Sequence, residues 1–198
     1  NTVEHSPDGK KLAFTVSRGG HALLGIYENK ETPIQWIAPS FHRYRQPKWS
    51  PDGSKIAFIK ILGGEGAAFP LLEPRHVPWE IWIGDVATGT AEMKWKAPET
   101  LRGSYRNGFL AYPKNNELIF ESYQDGWQHL YSLDLRTSVQ NLLTSGDYMV
   151  EQIKLSPDGS KVVFSANTGT SSEDIDRRHI GSIDLTNKNL TWETSGTG

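Results

Sequence analysis

Short apolar runs of three or four residues recur along the chain, each entered through the same polar phrase. Leu12-Ala13-Phe14 follows His5-Ser6-Pro7-Asp8-Gly9-Lys10, Ile56-Ala57-Phe58-Ile59 follows Trp49-Ser50-Pro51-Asp52-Gly53-Ser54-Lys55, and Val162-Val163-Phe164 follows Leu155-Ser156-Pro157-Asp158-Gly159-Ser160-Lys161. A degenerate copy runs from Tyr112-Pro113-Lys114-Asn115-Asn116-Glu117 into Leu118-Ile119-Phe120. The runs are too short for helices and rich in β-branched and aromatic residues. They predict strands buried on both faces. The phrase before them predicts the turn. Proline presets φ for the second position of a type I turn, aspartate suits the third, and glycine supplies the positive φ that follows. Pro7-Asp8-Gly9, Pro51-Asp52-Gly53 and Pro157-Asp158-Gly159 are therefore expected to close hairpins.

A second beat lies downstream of each turn: Gly25-Ile26-Tyr27-Glu28, Ile83-Gly84-Asp85-Val86, Ser132-Leu133-Asp134-Leu135 and Ser182-Ile183-Asp184-Leu185. Each runs into a polar turn and then a last short strand, such as Ile34-Gln35-Trp36-Ile37 or Leu190-Thr191-Trp192. The four turn prolines, Pro7, Pro51, Pro113 and Pro157, stand 44, 62 and 44 residues apart, so one unit carries about 18 extra residues. Four short strands per unit is the pattern of a β-propeller blade, whose sheet buries its faces only by stacking on its neighbours. The expected fold is all-β: a β-propeller of about four blades of four antiparallel strands, over residues 3–40, 41–99, 100–146 and 147–198, with an insertion over 61–78. Four blades that fail to close expose two sheet faces. Either they close alone, or a second chain completes the ring, or they are part of a larger ring.

The 198 residues are 36% hydrophobic and 11% aromatic, enough for a sizeable core. With 21 basic and 23 acidic residues the formal net charge is −2, which gives no general pull toward nucleic acid or anionic lipid. No apolar run is long enough for a membrane-inserted helix. The absence of cysteine rules out disulfides, cysteine–zinc sites and cysteine nucleophiles. The chain opens at Asn1 rather than Met, without a signal-peptide pattern, so a preceding segment is expected to have been removed.

The Ser-Pro-Asp-Gly-Ser-Lys-Ile-Ala-Phe unit resembles the blade repeat of TolB-like and prolyl-oligopeptidase-family propellers. Longer phrases narrow the resemblance to the serine peptidases related to dipeptidyl peptidase IV. Tyr123-Gln124-Asp125-Gly126-Trp127-Gln128-His129-Leu130-Tyr131 is similar to a phrase of those enzymes, as is Ser165-Ala166-Asn167-Thr168-Gly169 followed by Asp174-Ile175-Asp176-Arg177-Arg178-His179. Pro78-Trp79-Glu80-Ile81-Trp82 and Leu101-Arg102-Gly103-Ser104-Tyr105 fit the same group. The resemblance spans essentially the whole chain. It implies a propeller joined to an α/β-hydrolase domain that carries a Ser-Asp-His triad, in proteins often exported by bacteria, which favours a periplasmic or extracytoplasmic location.

The hydrolase signature itself is missing. A Gly-x-Ser-x-Gly elbow needs glycines flanking the serine and a helix behind it, and neither Ser104 nor Ser195 has them. The family's paired glutamates, which hold a substrate's N-terminal amine, are not recognisable; Glu65, Glu73 and Glu80 stand alone. The expectation is a non-catalytic propeller segment that gates and shapes a peptide cavity. Its partners would be the hydrolase domain of the same polypeptide or another propeller half, and a peptide substrate. The alternative is a stand-alone TolB-like propeller that binds a protein. No catalytic residue, metal or cofactor is expected.

Candidate contact residues lie in two places. The insertion carries Phe69, Leu71, Leu72, Arg75 and His76. It is too long for a tight hairpin, and it either borders the substrate cavity or hydrolase domain or covers a blade edge. In His42-Arg43-Tyr44-Arg45-Gln46, strand geometry puts Arg43 and Arg45 on one face. They read first as solvated arginines at the start of a blade, and alternatively as a site for a phosphate or a peptide carboxylate. Asp174 and Asp176, with Glu173, Arg177 and Arg178, read as a salt-bridged loop, since two alternate aspartates are too few for calcium. The six histidines show no metal spacing, and His129 is expected to make a structural hydrogen bond.

Overall fold

The computed structural model describes residues 2–63, 76–105, 108–168 and 177–196. They form sixteen strands and no helix. The chain divides into two compact units, residues 1–105 and 106–198.

The first unit holds one eight-stranded sheet made of two four-stranded antiparallel arrays. β1 (Val3–His5), β2 (Leu12–Arg18), β3 (His21–Tyr27) and β4 (Gln35–Ile37) pair antiparallel in chain order. So do β5 (Arg43–Trp49), β6 (Lys55–Ile61), β7 (Trp79–Asp85) and β8 (Ala91–Lys96). A single parallel bridge, Ala22 to Arg43, links β3 to β5. The second unit repeats the plan with β9 (Leu110–Lys114), β10 (Glu117–Ser122), β11 (His129–Asp134) and β12 (Gln140–Leu142), then β13 (Val150–Leu155), β14 (Lys161–Ala166), β15 (His179–Asp184) and β16 (Leu190–Trp192). The fold is an all-β propeller fold built of four-stranded antiparallel arrays.

The hairpins between the first two strands share one geometry. At Ser6-Pro7-Asp8-Gly9 the Gly9 N–H donates to the Ser6 carbonyl at 2.9 Å, and Gly9 has φ of 71°. The Ser6 hydroxyl donates to Asp8 Oδ1 at 2.7 Å and in turn accepts the Lys11 N–H at 2.9 Å. The same bonds recur at Ser50-Asp52-Lys55 and Ser156-Asp158-Lys161. The degenerate copy is a tighter hairpin, with Lys114 paired to Glu117 across Asn115 and Asn116. After each third strand an Asx turn follows. Asp85 Oδ1 accepts the Ala87 and Thr88 N–H groups, and Asp134 and Asp184 do the same. In the first sheet Glu28 stands where the others have aspartate, and the Asx turn is made one residue later by Asn29.

Each unit has its core between its sheets. In the first, Ala13, Leu24, Ile26 and Ile37 pack with Tyr44, Trp49, Ile56 and Phe58. In the second, Ile119, Leu130 and Tyr148 pack with Val162, Phe164 and Ile183. Burial pushes the Tyr148 hydroxyl up to about 12. Burying one such large apolar side chain contributes roughly 1.5–3 kcal/mol. The second strands differ in pattern. β6 and β10 are buried along nearly their whole length, as the apolar runs predict. β2 and β14 alternate instead, with Val163 exposed, as in a sheet covered on one face.

Candidate functional site

β5 pairs with β6 through Arg43 to Ile61 and Arg45 to Ile59, and the register then shifts before Lys48. Gln46, at φ 51°, makes the shift, a β-bulge that turns the strand. Upstream of it, Arg43 and Arg45 are exposed and Tyr44 between them is buried; downstream, Pro47 and Trp49 are buried. The bulge thus lets one strand present two arginines at one end and core side chains at the other. β13 repeats the device, with Gln152 at φ 50° and a shift between Glu151 and Lys154.

The two arginines line a cleft of about 470 Å³. Its other walls come from the first sheet: Thr2, Thr15 and Ser17, then Gly19, His21 and Ala22. Thr15 is buried, and its hydroxyl accepts the Thr2 N–H at 3.0 Å, which fixes the start of β1 against β2. Arg43 Nε donates to the Gly20 carbonyl at 3.0 Å, and the Ala22 N–H donates to the His42 carbonyl at 3.0 Å, so β5 is tied to the hairpin of the neighbouring sheet. His21 meets the exposed Phe41 ring edge-on at 5.8 Å. Tyr44 and Gln46 also line the cleft; the Tyr44 hydroxyl is tied to Ser40 and the Ala38 carbonyl, and burial raises its pKa.

Among the described residues no carboxylate lines the cleft. Among the described residues neither arginine has an ion-pair partner, whereas Lys48 pairs with Glu4, Lys60 with Glu80 and Arg178 with Glu151. Such a cleft can hold an anion. It lies at the start of β5, whereas the repeated turns at Pro7-Asp8-Gly9, Pro51-Asp52-Gly53 and Pro157-Asp158-Gly159 lie at the opposite ends of their strands.

Of the other expected contact residues, His76 is exposed just before β7. Phe69, Leu71, Leu72 and Arg75 lie outside the described residues, as do Glu65, Glu73, Glu173, Asp174 and Asp176. The root of the insertion is fixed by His42, whose Nδ1 accepts the Gly63 N–H at 3.0 Å. Ser104 is buried; its hydroxyl accepts the Val77 N–H at 3.0 Å and serves the loop. Glu80 is engaged by Lys60 and by Trp82 Nε1, which donates to it at 2.6 Å. His129 is also buried, with Nδ1 at 2.6 Å from Asp125 Oδ2. Burial acts to raise the Asp125 carboxyl, but hydrogen bonds from His129 and the Trp127 N–H outweigh it and hold it below the usual aspartate range. The hydroxyls of Thr15 and Ser17 and the ring of His21 gave no signal in the sequence, because register between sheets, not spacing, brings them to the arginines.

Comparison with known proteins gives three kinds of match. The sequence profile of the dipeptidyl peptidase IV (DPP IV) N-terminal region matches residues 82–195. The chain is 42% identical over 163 residues to a TolB homolog of Chlorobium chlorochromatii, over 82% of this chain and 32% of that protein. It is 25% identical over 206 residues to the uncharacterized peptidase YuxL of Bacillus subtilis, over 89% of this chain and 30% of that protein. The chain thus spans about a third of the length of the curated relatives it matches. A crystal structure of a protein assigned as a dipeptidyl aminopeptidase IV of Bacteroides ovatus shares the fold, with a TM-score of 0.66 at 16% identity, over 95% of this chain and 32% of that one.

Proposed function

Because the chain belongs to the dipeptidyl peptidase IV N-terminal region family, we propose that it is the non-catalytic propeller portion of a dipeptidyl-peptidase-like serine peptidase, and that it gates and shapes the cavity in which short peptides meet the catalytic centre. The observation that carries the reading is the family match over residues 82–195, laid on four-stranded antiparallel sheets. The side chains fit a scaffold. Ser104 is buried in a loop, Glu80 is tied up by Lys60 and Trp82, and the Asp125–His129 pair is turned into the fold. The serine nucleophile and its base then belong to a hydrolase domain elsewhere in the same polypeptide. A peptide cavity between propeller and hydrolase admits chains thin enough to pass and excludes folded proteins.

The test is turnover by the full-length natural protein. Serine-reagent-sensitive release of a chromophore from a dipeptidyl substrate is expected, with no cleavage of a folded protein such as native serum albumin. Absence of peptide turnover would contradict the reading.

A second reading, a stand-alone TolB-like propeller that binds a protein partner, draws on the 42% identity to the Chlorobium chlorochromatii homolog. It requires a natural product that takes no serine reagent and behaves as a monomer or one defined oligomer in light scattering.

A further inference from the structure

Arg43 and Arg45 are two like charges on one strand with no ion-pair partner among the described residues. Two residues apart on one strand face, their side chains start roughly 6–7 Å from each other. Like charges so placed repel, and proteins ordinarily neutralise them. The repeat provides a direct comparison. Glu151 stands one residue before the bulge of β13, as Arg45 stands one residue before the bulge of β5, and Glu151 is paired with Arg178 at 2.8 Å. At the Arg45 position no described carboxylate is within reach, and none lines the 470 Å³ cleft. The Arg43 Nε is held by the Gly20 carbonyl, which fixes the guanidinium at the cleft wall and leaves its terminal amino groups without a described carboxylate. Thr15 and Ser17 also line the cleft. The volume lies in the range of small-ligand pockets, and a pair of like charges in a walled cleft with no described carboxylate focuses field on an anion.

We propose that this cleft binds the carboxylate of a short peptide, with Arg45 and Arg43 donating to its two oxygens and the hydroxyls of Thr15 and Ser17 beside them. The choice of a peptide carboxylate over another oxyanion rests on the peptide-cavity reading above. The planar guanidinium matches a carboxylate through paired N–H bonds, which a lysine would not reproduce. Arg45 would then select peptides by a charged end or an acidic side chain, a specificity set by the propeller rather than by the catalytic domain.

The test is calorimetry on the full-length protein after its turnover has been blocked with a serine reagent. The probes are N-acetyl-trialanine, its C-terminal amide and inorganic phosphate. The free acid is expected to bind at least about tenfold tighter than the amide, and Arg45→Gln to remove that preference, in line with the worth of a charged hydrogen bond. Arg45 is exposed, so the variant's thermal midpoint should match that of the parent; Arg43→Lys, which keeps the charge and loses the fork, should weaken the acid as well. Equal binding of acid and amide, or an acid preference that survives Arg45→Gln, overturns the proposal. Phosphate binding tighter than the acid overturns the carboxylate assignment. The two readings fail separately: acid-selective binding without dipeptidyl turnover retains the cleft and removes the peptidase, and turnover without acid selectivity does the reverse.

Discussion

Gly25 and Gly181 hold equivalent places in two sheets, each opposite the phenylalanine of the repeated strand. Gly25 pairs with Phe14 and Trp36, and Gly181 with Phe164 and Trp192. With no side chain on the glycine, the two rings meet edge-on above it, at 5.9 Å in both sheets. A Cβ on Gly181 would lie 2.5 Å from Phe164 Cζ. Gly181→Ala is therefore expected to destabilise the fold by about 1–3 kcal/mol through overpacking, read as a lower urea midpoint. Gly20→Ala, where a Cβ meets nothing within 4 Å, should leave the midpoint in place. Carboxylates act at the same scale. Asp8, Asp52, Asp85, Asp134, Asp158 and Asp184 all sit below the ordinary aspartate value of 3.8, held there by hydroxyl and N–H donors of their own turns, and Asp134 and Asp158 are at about 2. Their folded values lie below their unfolded ones, so the stability they contribute is whole above about pH 4. It is lost as pH falls through the folded values toward 2. Urea midpoints measured from pH 5 down to pH 2 should drop across that window, and the double variant Asp134→Asn, Asp158→Asn should show a shallower drop.

The elements differ in how plainly the sequence announced them. Hairpins were legible, because proline, aspartate and glycine in that order have few other uses. Bulges were not. Gln46 and Gln152 stand at the same distance before their turn prolines, and a recurring glutamine with positive φ has no chemical signature. The Asx turn of the first sheet was hidden too, since Glu28 holds the register position of aspartate and Asn29, one residue beyond it, makes the turn. Cross-strand chemistry was equally hidden. Lys60 and Glu80 face each other in the β6–β7 register, both largely buried, with Lys60 Nζ 4.0 Å from the centre of the Trp82 ring. Glu80→Ala leaves that ammonium without its carboxylate and is expected to destabilise by about 3 kcal/mol. Adding Lys60→Met should restore most of the loss, and a double-mutant cycle of urea midpoints that finds simple additivity would contradict the coupling.

At the scale of the whole molecule, the repeat dictates a scaffold, and the candidate site arises where one copy departs from it. β5 carries Arg43 and Arg45, whereas β13 carries a glutamate paired with arginine, so one repeat position is ion-paired in one sheet and has no described ion-pair partner in the other. Strand alternation made the shared face of the two arginines readable. Their cleft was not, because its far wall is built by residues of a separate sheet. The proposed function puts the nucleophile outside this propeller, in a hydrolase domain of a longer polypeptide. It is tested most directly by labelling the full-length natural protein with a fluorophosphonate serine reagent and mapping the modified peptide by mass spectrometry. The account predicts one labelled serine, outside these 198 residues. A labelled serine within them, or a natural product of 22.2 kDa that takes no label, would contradict it.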